Sequence, residues 1–262
     1  MTIRILQLSD PHLLSDPDSQ HRDVPTWRSF RQVLRHLDGE ASGFDWVILT
    51  GDLAHDEQRE TYRLLRRTLE ERSTPWRMIP GNHDCRAFMR EVFPEMAGSA
   101  GDSFGFCLDL PGWKLVGLDS RLPGSVSGRV GRRQLDWLRK ELEADSGVPA
   151  ILFIHHPPVP VGCPWLDRIG LEDAGQLRSV VGAAPQVQLV LCGHVHHEFR
   201  GRLGEVEVLS APSTAFQFLP QGEIPVFDPA PPGARTLELD GSRWRTRVVR
   251  VPELIWVPNP DV

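Results

Sequence analysis

The chain is predicted to fold as an α/β protein, and three observations predict it. Short apolar runs that read as strands alternate with segments whose apolar residues recur at helical spacing. Polar motifs follow several of the strand-like runs directly, where α/β sheets present their chemistry. Beyond about residue 200 the pattern changes to strands alone, so the chain ends in a β-rich segment.

Ile3, Ile5, Leu6 and Leu8 predict a first strand that runs straight into Ser9-Asp10-Pro11-His12. Residues 15–25 are polar and contain prolines, which predicts a loop. Trp27, Phe30, Val33, Leu34 and Leu37 follow a helical period. Trp46 to Leu49 reads as a buried strand ending at Thr50-Gly51-Asp52, and Tyr62, Leu65 and Leu69 mark the next helix. Met78 and Ile79 end a strand that Pro80-Gly81 breaks ahead of Asn82-His83-Asp84. Residues 94–103, rich in Gly, Ala and Ser, are expected to be loop. Phe104 to Leu110 and Trp113 to Leu118 predict two strands joined at Pro111-Gly112. Leu135, Leu138 and Leu142 mark a helix, and Ile151 to Ile154 a strand ending at His155-His156-Pro157. A helix is expected over about 173–181, then a strand from Val187 to Leu191 that leads to Cys192-Gly193-His194-Val195-His196. Strands are predicted at 206–209, 235–239 and 244–251, with a Pro-rich stretch at 220–233 between them. This tail is expected to form a second sheet packed on the first. With no internal repeat and no clean linker, the expectation is one domain over 1–262, with a core to about residue 218 and a β-rich extension over about 219–262.

The 262 residues are 40% hydrophobic, enough for a sizeable core. A net charge of −6 with neutral histidines argues against a broad nucleic-acid surface. Cys85, Cys107, Cys163 and Cys192 lie far apart without a Cys-x-x-Cys, so reduced thiols are expected rather than a disulfide scaffold. The segment before Asp10 is too short for a signal peptide and no apolar run reaches a membrane span, which predicts a cytoplasmic protein that does not enter the membrane. The oligomeric state is open, a homodimer included.

Five motifs carry the chemistry: Asp10-Pro11-His12, Gly51-Asp52, Asn82-His83, His155-His156 and His194-Val195-His196. Any one alone reads as a turn, a cap or a hydrogen-bonded histidine. Five in order, each after a strand-like run, predict a dinuclear metal site. Asp52 can bridge two ions. Asp10 and His12, like His194 and His196, are separated by one residue, so a loop can turn both toward one ion. Asn82 offers a neutral carbonyl oxygen and His155 another imidazole. Mixed nitrogen and oxygen donors without thiolate suit iron or manganese, with zinc as a third option. Charge left over after Asp10 and Asp52 would lower the pKa of a bridging water, and the resulting hydroxide could attack a phosphate ester. His83, beside the ligand Asn82, is placed to protonate the leaving oxygen. Substrate contacts are expected from His12, Asn82, His83, His156 and His196, although His156 could instead only support its neighbours. His21, His36 and His55 are expected to be solvated, His197 to flank the site, and Cys192 to be a packed thiol.

Asp10-x-His12, Gly51-Asp52, Gly81-Asn82-His83-Asp84, His155 and Gly193-His194-x-His196 together resemble the calcineurin-like metallophosphoesterase superfamily. The resemblance implies a four-layer αββα sandwich. It also implies one metal on Asp10, His12, Asp52 and His196 and a second on Asp52, Asn82, His155 and His194, with His83 acting on the leaving group or transition state. A narrower likeness runs through Pro160, Gly162 to Asp167, Ala174-Gly175-x-Leu177, Ala211 to Thr214 and Gln217-Phe218, and it resembles the bacterial class III 3′,5′-cyclic AMP phosphodiesterases. That implies hydrolysis of a small phosphodiester, cyclic AMP first, to 5′-AMP. The alternatives are a broader phosphodiesterase acting on glycerophosphodiesters or other small diesters and, more remotely, a non-catalytic scaffold of the same fold, against which every expected ligand position is filled. The Gly-Asp-x-x-Asp-Arg-Gly pattern of Ser/Thr protein phosphatases is absent, the chain reading Gly51-Asp52-Leu53-Ala54-His55-Asp56.

Overall fold

The computed structural model describes residues 2–39, 43–96, 103–253 and 256–259. In chain order the first half contains β1 (Thr2–Leu8), α1 (Thr26–Asp38), β2 (Trp46–Thr50), α2 (Arg59–Glu70), β3 (Trp76–Ile79), α3 (Arg86–Val92), β4 (Phe106–Leu110), β5 (Trp113–Leu118) and α4 (Arg132–Ala144). The second half contains β6 (Ala150–Ile154), α5 (Pro164–Asp167), α6 (Ala174–Gly182), β7 (Val187–Cys192), β8 (Arg200–Leu203), β9 (Val206–Ser210), β10 (Gln217–Phe218), β11 (Phe227–Asp228), β12 (Gly233–Asp240) and β13 (Arg243–Arg250).

Two sheets lie face to face. The first has strand order β13-β12-β1-β2-β3 and the second β4-β5-β6-β7-β9-β8. Alternation along each strand decides what lies on either side. Ile3 and Ile5 of β1 point between the sheets, where they meet Ile48, Ile79, Phe153, Leu191 and Leu237. Leu6 and Leu8 point the other way, onto Trp27, Phe30, Tyr62 and Met89 of α1, α2 and α3. On the far side of the second sheet, Leu135 and Leu138 of α4 and Leu177 and Val180 of α6 pack on Val116, Leu152 and Val190. The result is the four-layer αββα sandwich.

The β-rich tail departs from expectation. β12 pairs antiparallel with β1, Thr2 opposite Asp240, and β13 pairs with β12. The tail thus completes the first sheet, while the second is built from residues 106–210. The apolar residues of β1 demand cover on that side as well as from β2, and local pattern does not say which strand supplies it. α3 and β8 also escaped the sequence reading, because one is a short helix directly behind a motif and the other is polar.

Parallel pairing sets up the site. Leu8 aligns with Leu49 and Thr50 with Ile79, so β1, β2 and β3 end at one edge. In the second sheet Leu118 aligns with Ile154, Ile154 with Cys192 and Cys192 with Ser210. Buried Gln7 joins the two edges, its amide donating to Thr50 Oγ1 at 3.1 Å and to the Cys192 carbonyl at 3.0 Å. Among the described residues no helix is long and apolar enough to cross a membrane.

Candidate metal centre and active site

The loops leaving these aligned strand ends carry every motif singled out in the sequence. Ladder bonding continues past β1 and β2: Asp10 N–H donates to the Gly51 carbonyl at 3.1 Å and His12 N–H to the Asp52 carbonyl at 3.0 Å. Asp10, His12, Asp52, His194 and His196 all have left-handed backbone, with φ of 52°, 46°, 50°, 71° and 54°. Asp and His tolerate this region better than most residues, yet each costs of order 1–3 kcal/mol, and such strain concentrates at functional sites. Two glycines are required by close approach. A Cβ on Gly51 would lie 2.4 Å from His155 Nδ1, and one on Gly193 would lie 2.1 Å from Ser9 Oγ.

The side chains converge. Ligand atoms of Asp10, His12, Asp52 and His196 all lie within 4.8 Å of one another, and these residues are buried. Beside them, Asn82 Oδ1 lies 3.2 Å from His155 Nε2 and 3.1 Å from His194 Nδ1. Asp52 Oδ2 stands between the two groups, 3.7 Å from His12 Nε2 and 3.4 Å from His155 Nε2. Asp10 is aimed by the His194 backbone N–H, at 3.0 and 3.1 Å from its two oxygens. Carbonyls fix two imidazoles from behind: Thr50 O lies 2.7 Å from His155 Nδ1, and Phe216 O lies 2.9 Å from His196 Nδ1. A ring whose Nδ1–H donates to a carbonyl presents the Nε2 lone pair inward. His12 Nε2 and His196 Nε2 lie 3.0 Å apart, close enough for both to ligate one ion. The donor set therefore fits two divalent ions.

The electrostatics agree. Burial pushes the Asp10 carboxyl up to about 7, with His155 opposing and Asp52 assisting. Burial also raises Asp52, but His155, His83 and His12 overcome it and hold Asp52 well below the usual carboxylate range. Burial lowers His155, while Asp52 and Asp10 carry it the other way, to about 9. Burial lowers His12 well below its ordinary value and takes His194 and His196 to about 3. Burial thus leaves His12, His194 and His196 neutral beside Asp52, and a cation would displace the protons that His155 and Asp10 hold without it.

Asp84 is the support beneath it. Fully buried, it accepts from the N–H groups of Gly81 at 2.8 Å, Leu53 at 3.0 Å and Ala54 at 3.1 Å, and from the Tyr62 hydroxyl at 3.0 Å. The loops bearing Asp52 and Asn82 are thereby tied to one carboxylate.

His156 requires a correction. It is buried, with Nδ1 at 2.8 Å from Ser120 Oγ and Nε2 at 3.0 Å from the Val126 carbonyl. With both ring nitrogens engaged it holds the 120–126 segment over the site, and the geometry does not support a substrate contact. A Cβ on Gly128 would come within 2.2 Å of its Nδ1, so the ring is enclosed there too.

A cavity of about 400 Å³ opens over the cluster, bordered by His12, Asp52, Asn82, His83, His194 and His196. His83 is half-buried there, its backbone N–H donating to Asp52 Oδ1 at 2.9 Å and its ring centroid 5.1 Å from that of His12. Trp165, Phe216, Phe218 and Phe227 form an aromatic wall, with Trp165 edge-on to Phe218 at 5.1 Å. Cys163 instead packs with Leu166 and Val195, and Cys192 is buried between the sheet and α4 and α6. Of the three histidines expected to be solvated, only His36 is exposed; His21 and His55 stack at 3.6 Å and line the cavity. Both lie on irregular loops, so no periodicity could mark them. The adjacency of His55 to Gly51-Asp52 was the available signal.

Comparison with known proteins places this geometry in context. The family model described as calcineurin-like phosphoesterase matches residues 3–198. The chain is 34% identical over 254 residues to a 3′,5′-cyclic-nucleotide phosphodiesterase from Nostoc sp., covering 96% of this chain and 94% of that protein. It is likewise 34% identical over 259 residues to the 3′,5′-cyclic adenosine monophosphate phosphodiesterase CpdA from Escherichia coli, covering 98% and 93%. A solved dimetal phosphatase from Danio rerio shares the fold, with a TM-score of 0.66 at 15% identity over 95% of this chain and 98% of that one. Matching across most of its length and in its relatives, the chain belongs to the calcineurin-like phosphoesterase family.

Proposed function

We propose that this protein is a dinuclear-metal phosphodiesterase that hydrolyses 3′,5′-cyclic AMP to 5′-AMP. The observation that carries the reading is the complete ligand cluster at the floor of a cavity of about 400 Å³ with an aromatic wall. Relatives named as cyclic-nucleotide phosphodiesterases over nearly the whole chain support it.

Asp10, His12, Asp52 and His196 would hold one ion, and Asp52, Asn82, His155 and His194 the other. Iron or manganese suits these oxygen and imidazole donors best. Two such ions lower the pKa of a water and offset the charge of a phosphoryl group. The remaining work falls to the chain. His12, Asn82, His83 and His196 border the cavity and orient the phosphate. His83 stands outside both ligand groups and supplies a proton to the departing 3′ oxygen. Trp165 and Phe218 give the adenine an apolar surface.

The test is a substrate panel on Mn²⁺-loaded protein: cyclic AMP, cyclic GMP, 2′,3′-cyclic nucleotides, glycerophosphodiesters and a phosphomonoester. Cyclic AMP should be the best substrate, with 5′-AMP formed and 3′-AMP absent. Far higher kcat/KM for glycerophosphodiesters would overturn the substrate assignment. His83→Ala should keep its metal and lose about 10²–10⁴-fold in rate on cyclic AMP, but much less on nitrophenyl esters, whose leaving group needs no proton. Equal losses on both would reassign His83 to phosphate positioning.

A further inference from the structure

His55 serves neither candidate ion, yet it sits among groups that could bind one. Ligand atoms of His12, His55 and His83 all lie within 4.8 Å of one another. Their ring centroids are 5.6 Å apart for His12 and His55, 5.0 Å for His55 and His83, and 5.1 Å for His12 and His83. Nitrogens on one tetrahedral zinc ion stand roughly 3.3 Å apart, given bonds of about 2.0–2.1 Å. Ring movements of about an ångström would therefore close the group around an ion. His55 and His83 are both half-buried. Two nitrogens also lack any hydrogen-bond partner: His55 Nδ1 and His12 Nδ1 are both buried without one. His21 stacks on His55 at 3.6 Å, and both rings line the cavity.

We infer that His12, His55 and His83 form a second metal site that competes with the dinuclear centre and takes zinc-like ions. The inference rests on the dinuclear reading given above. Three imidazoles with no oxygen donor favour zinc, copper or nickel, whereas the set containing Asp10, Asp52 and Asn82 favours manganese and iron. The two sites exclude each other through His12. A neutral imidazole has one lone pair: if it ligates through one nitrogen, the other carries the proton. An ion held with His55 and His83 therefore removes His12 from its place beside Asp10, Asp52 and His196. The same ion ties up His83, the group proposed to protonate the leaving oxygen. Zinc acts by this route as an inhibitor through displacement.

The test is a Zn²⁺ titration of Mn²⁺-loaded protein, with released Mn²⁺ read by electron paramagnetic resonance and initial Mn²⁺ content measured first. Wild-type protein should release one Mn²⁺ per chain before the second. In His55→Gln the midpoint of that first release should move to Zn²⁺ concentrations higher by about tenfold or more, the scale on which lost support weakens a metal site. His55→Asn serves as a second variant should the glutamine not fold. Equal midpoints in wild type and variant would mean ordinary replacement of Mn²⁺ within the dinuclear site, and would overturn the inference. A chain that takes up no Mn²⁺ would overturn the dinuclear reading and this inference with it, which the initial metal content distinguishes.

Discussion

Replacing Asp84 should destabilise the protein out of proportion to the size of the side chain. The carboxylate collects three backbone N–H groups, from Leu53, Ala54 and Gly81, together with the Tyr62 hydroxyl, in a fully buried position. In Asp84→Ala each amide becomes a buried donor without an acceptor, at about 1–3 kcal/mol apiece. Removing a buried charge returns part of that, which leaves a net loss of about 3–5 kcal/mol. Because domains are stable by only about 5–15 kcal/mol, this is a large fraction of the total. A protein of this size should lose roughly 10 °C in Tm. Asp84→Asn keeps one oxygen but turns an NH₂ toward the amides, so its loss should be about half as great. Metal content should fall in parallel, since the supported loops carry Asp52 and Asn82. The assay is urea unfolding of both variants at pH 7, with metal analysis of each. A loss under about 1 kcal/mol in Asp84→Ala, or full metal retention, would refute the assignment of this carboxylate as the support.

Gly81→Ala should reduce bound metal below one ion per chain by elemental analysis, because its Cβ would lie 2.1 Å from Asp52 Oδ1 and 2.4 Å from Asp52 N; undiminished metal would contradict the crowding argument. Trp165→Ala should raise KM for cyclic AMP by roughly 5–150-fold, the scale of lost base stacking, while leaving KM for bis-nitrophenyl phosphate little changed; equal changes on both would remove Trp165 from base recognition. The metal-depleted protein should lose stability as pH falls. Burial and His55 hold His21 down at about 3, and burial lowers His156 well below its ordinary value. Their folded pKa values lie below the unfolded value near 6.5, so the unfolded chain takes up the protons as pH drops past that point, at up to about 1.4 kcal/mol per pH unit for each group. Asp10 at about 7 and Asp84 at about 6 work in the opposite direction but are outnumbered by the lowered histidines. Urea midpoints that stay level or rise between pH 7 and pH 5 would count against this.

The convergence of the site's polar residues was legible in the sequence because each motif follows an apolar run, and parallel strands bring such positions to one edge. Asp10, Asp52, Asn82, His155, His194 and His196 could be found on that ground alone. Pairing across the sheet was not legible. β12 reads like any exposed hairpin strand, and nothing local shows that Leu237 and Leu239 belong beside Ile3 and Ile5. His156 misled because a His-His pair at a strand end does not show which ring faces solvent; Ser120 and the Val126 carbonyl, distant in sequence, capture the second one. His21 and His55 were hidden for a related reason, since each finds the other only after two irregular loops fold onto the same wall.

The antiparallel seam between β1 and β12 bears on the order of events during synthesis. Thr2 leaves the ribosome early, and its partner Asp240 only after most of the chain has followed. Until then the Asp10 loop lacks a finished sheet behind it. It also lacks the Ser213 hydroxyl, which donates to the Asp10 carbonyl at 2.7 Å and arrives almost as late. Contacts this distant along the chain form slowly. Metal capture is thus expected to be a late step coupled to closure of the seam, and a nascent chain released short of β12 should bind its ions poorly, even though every residue that would hold them is already present.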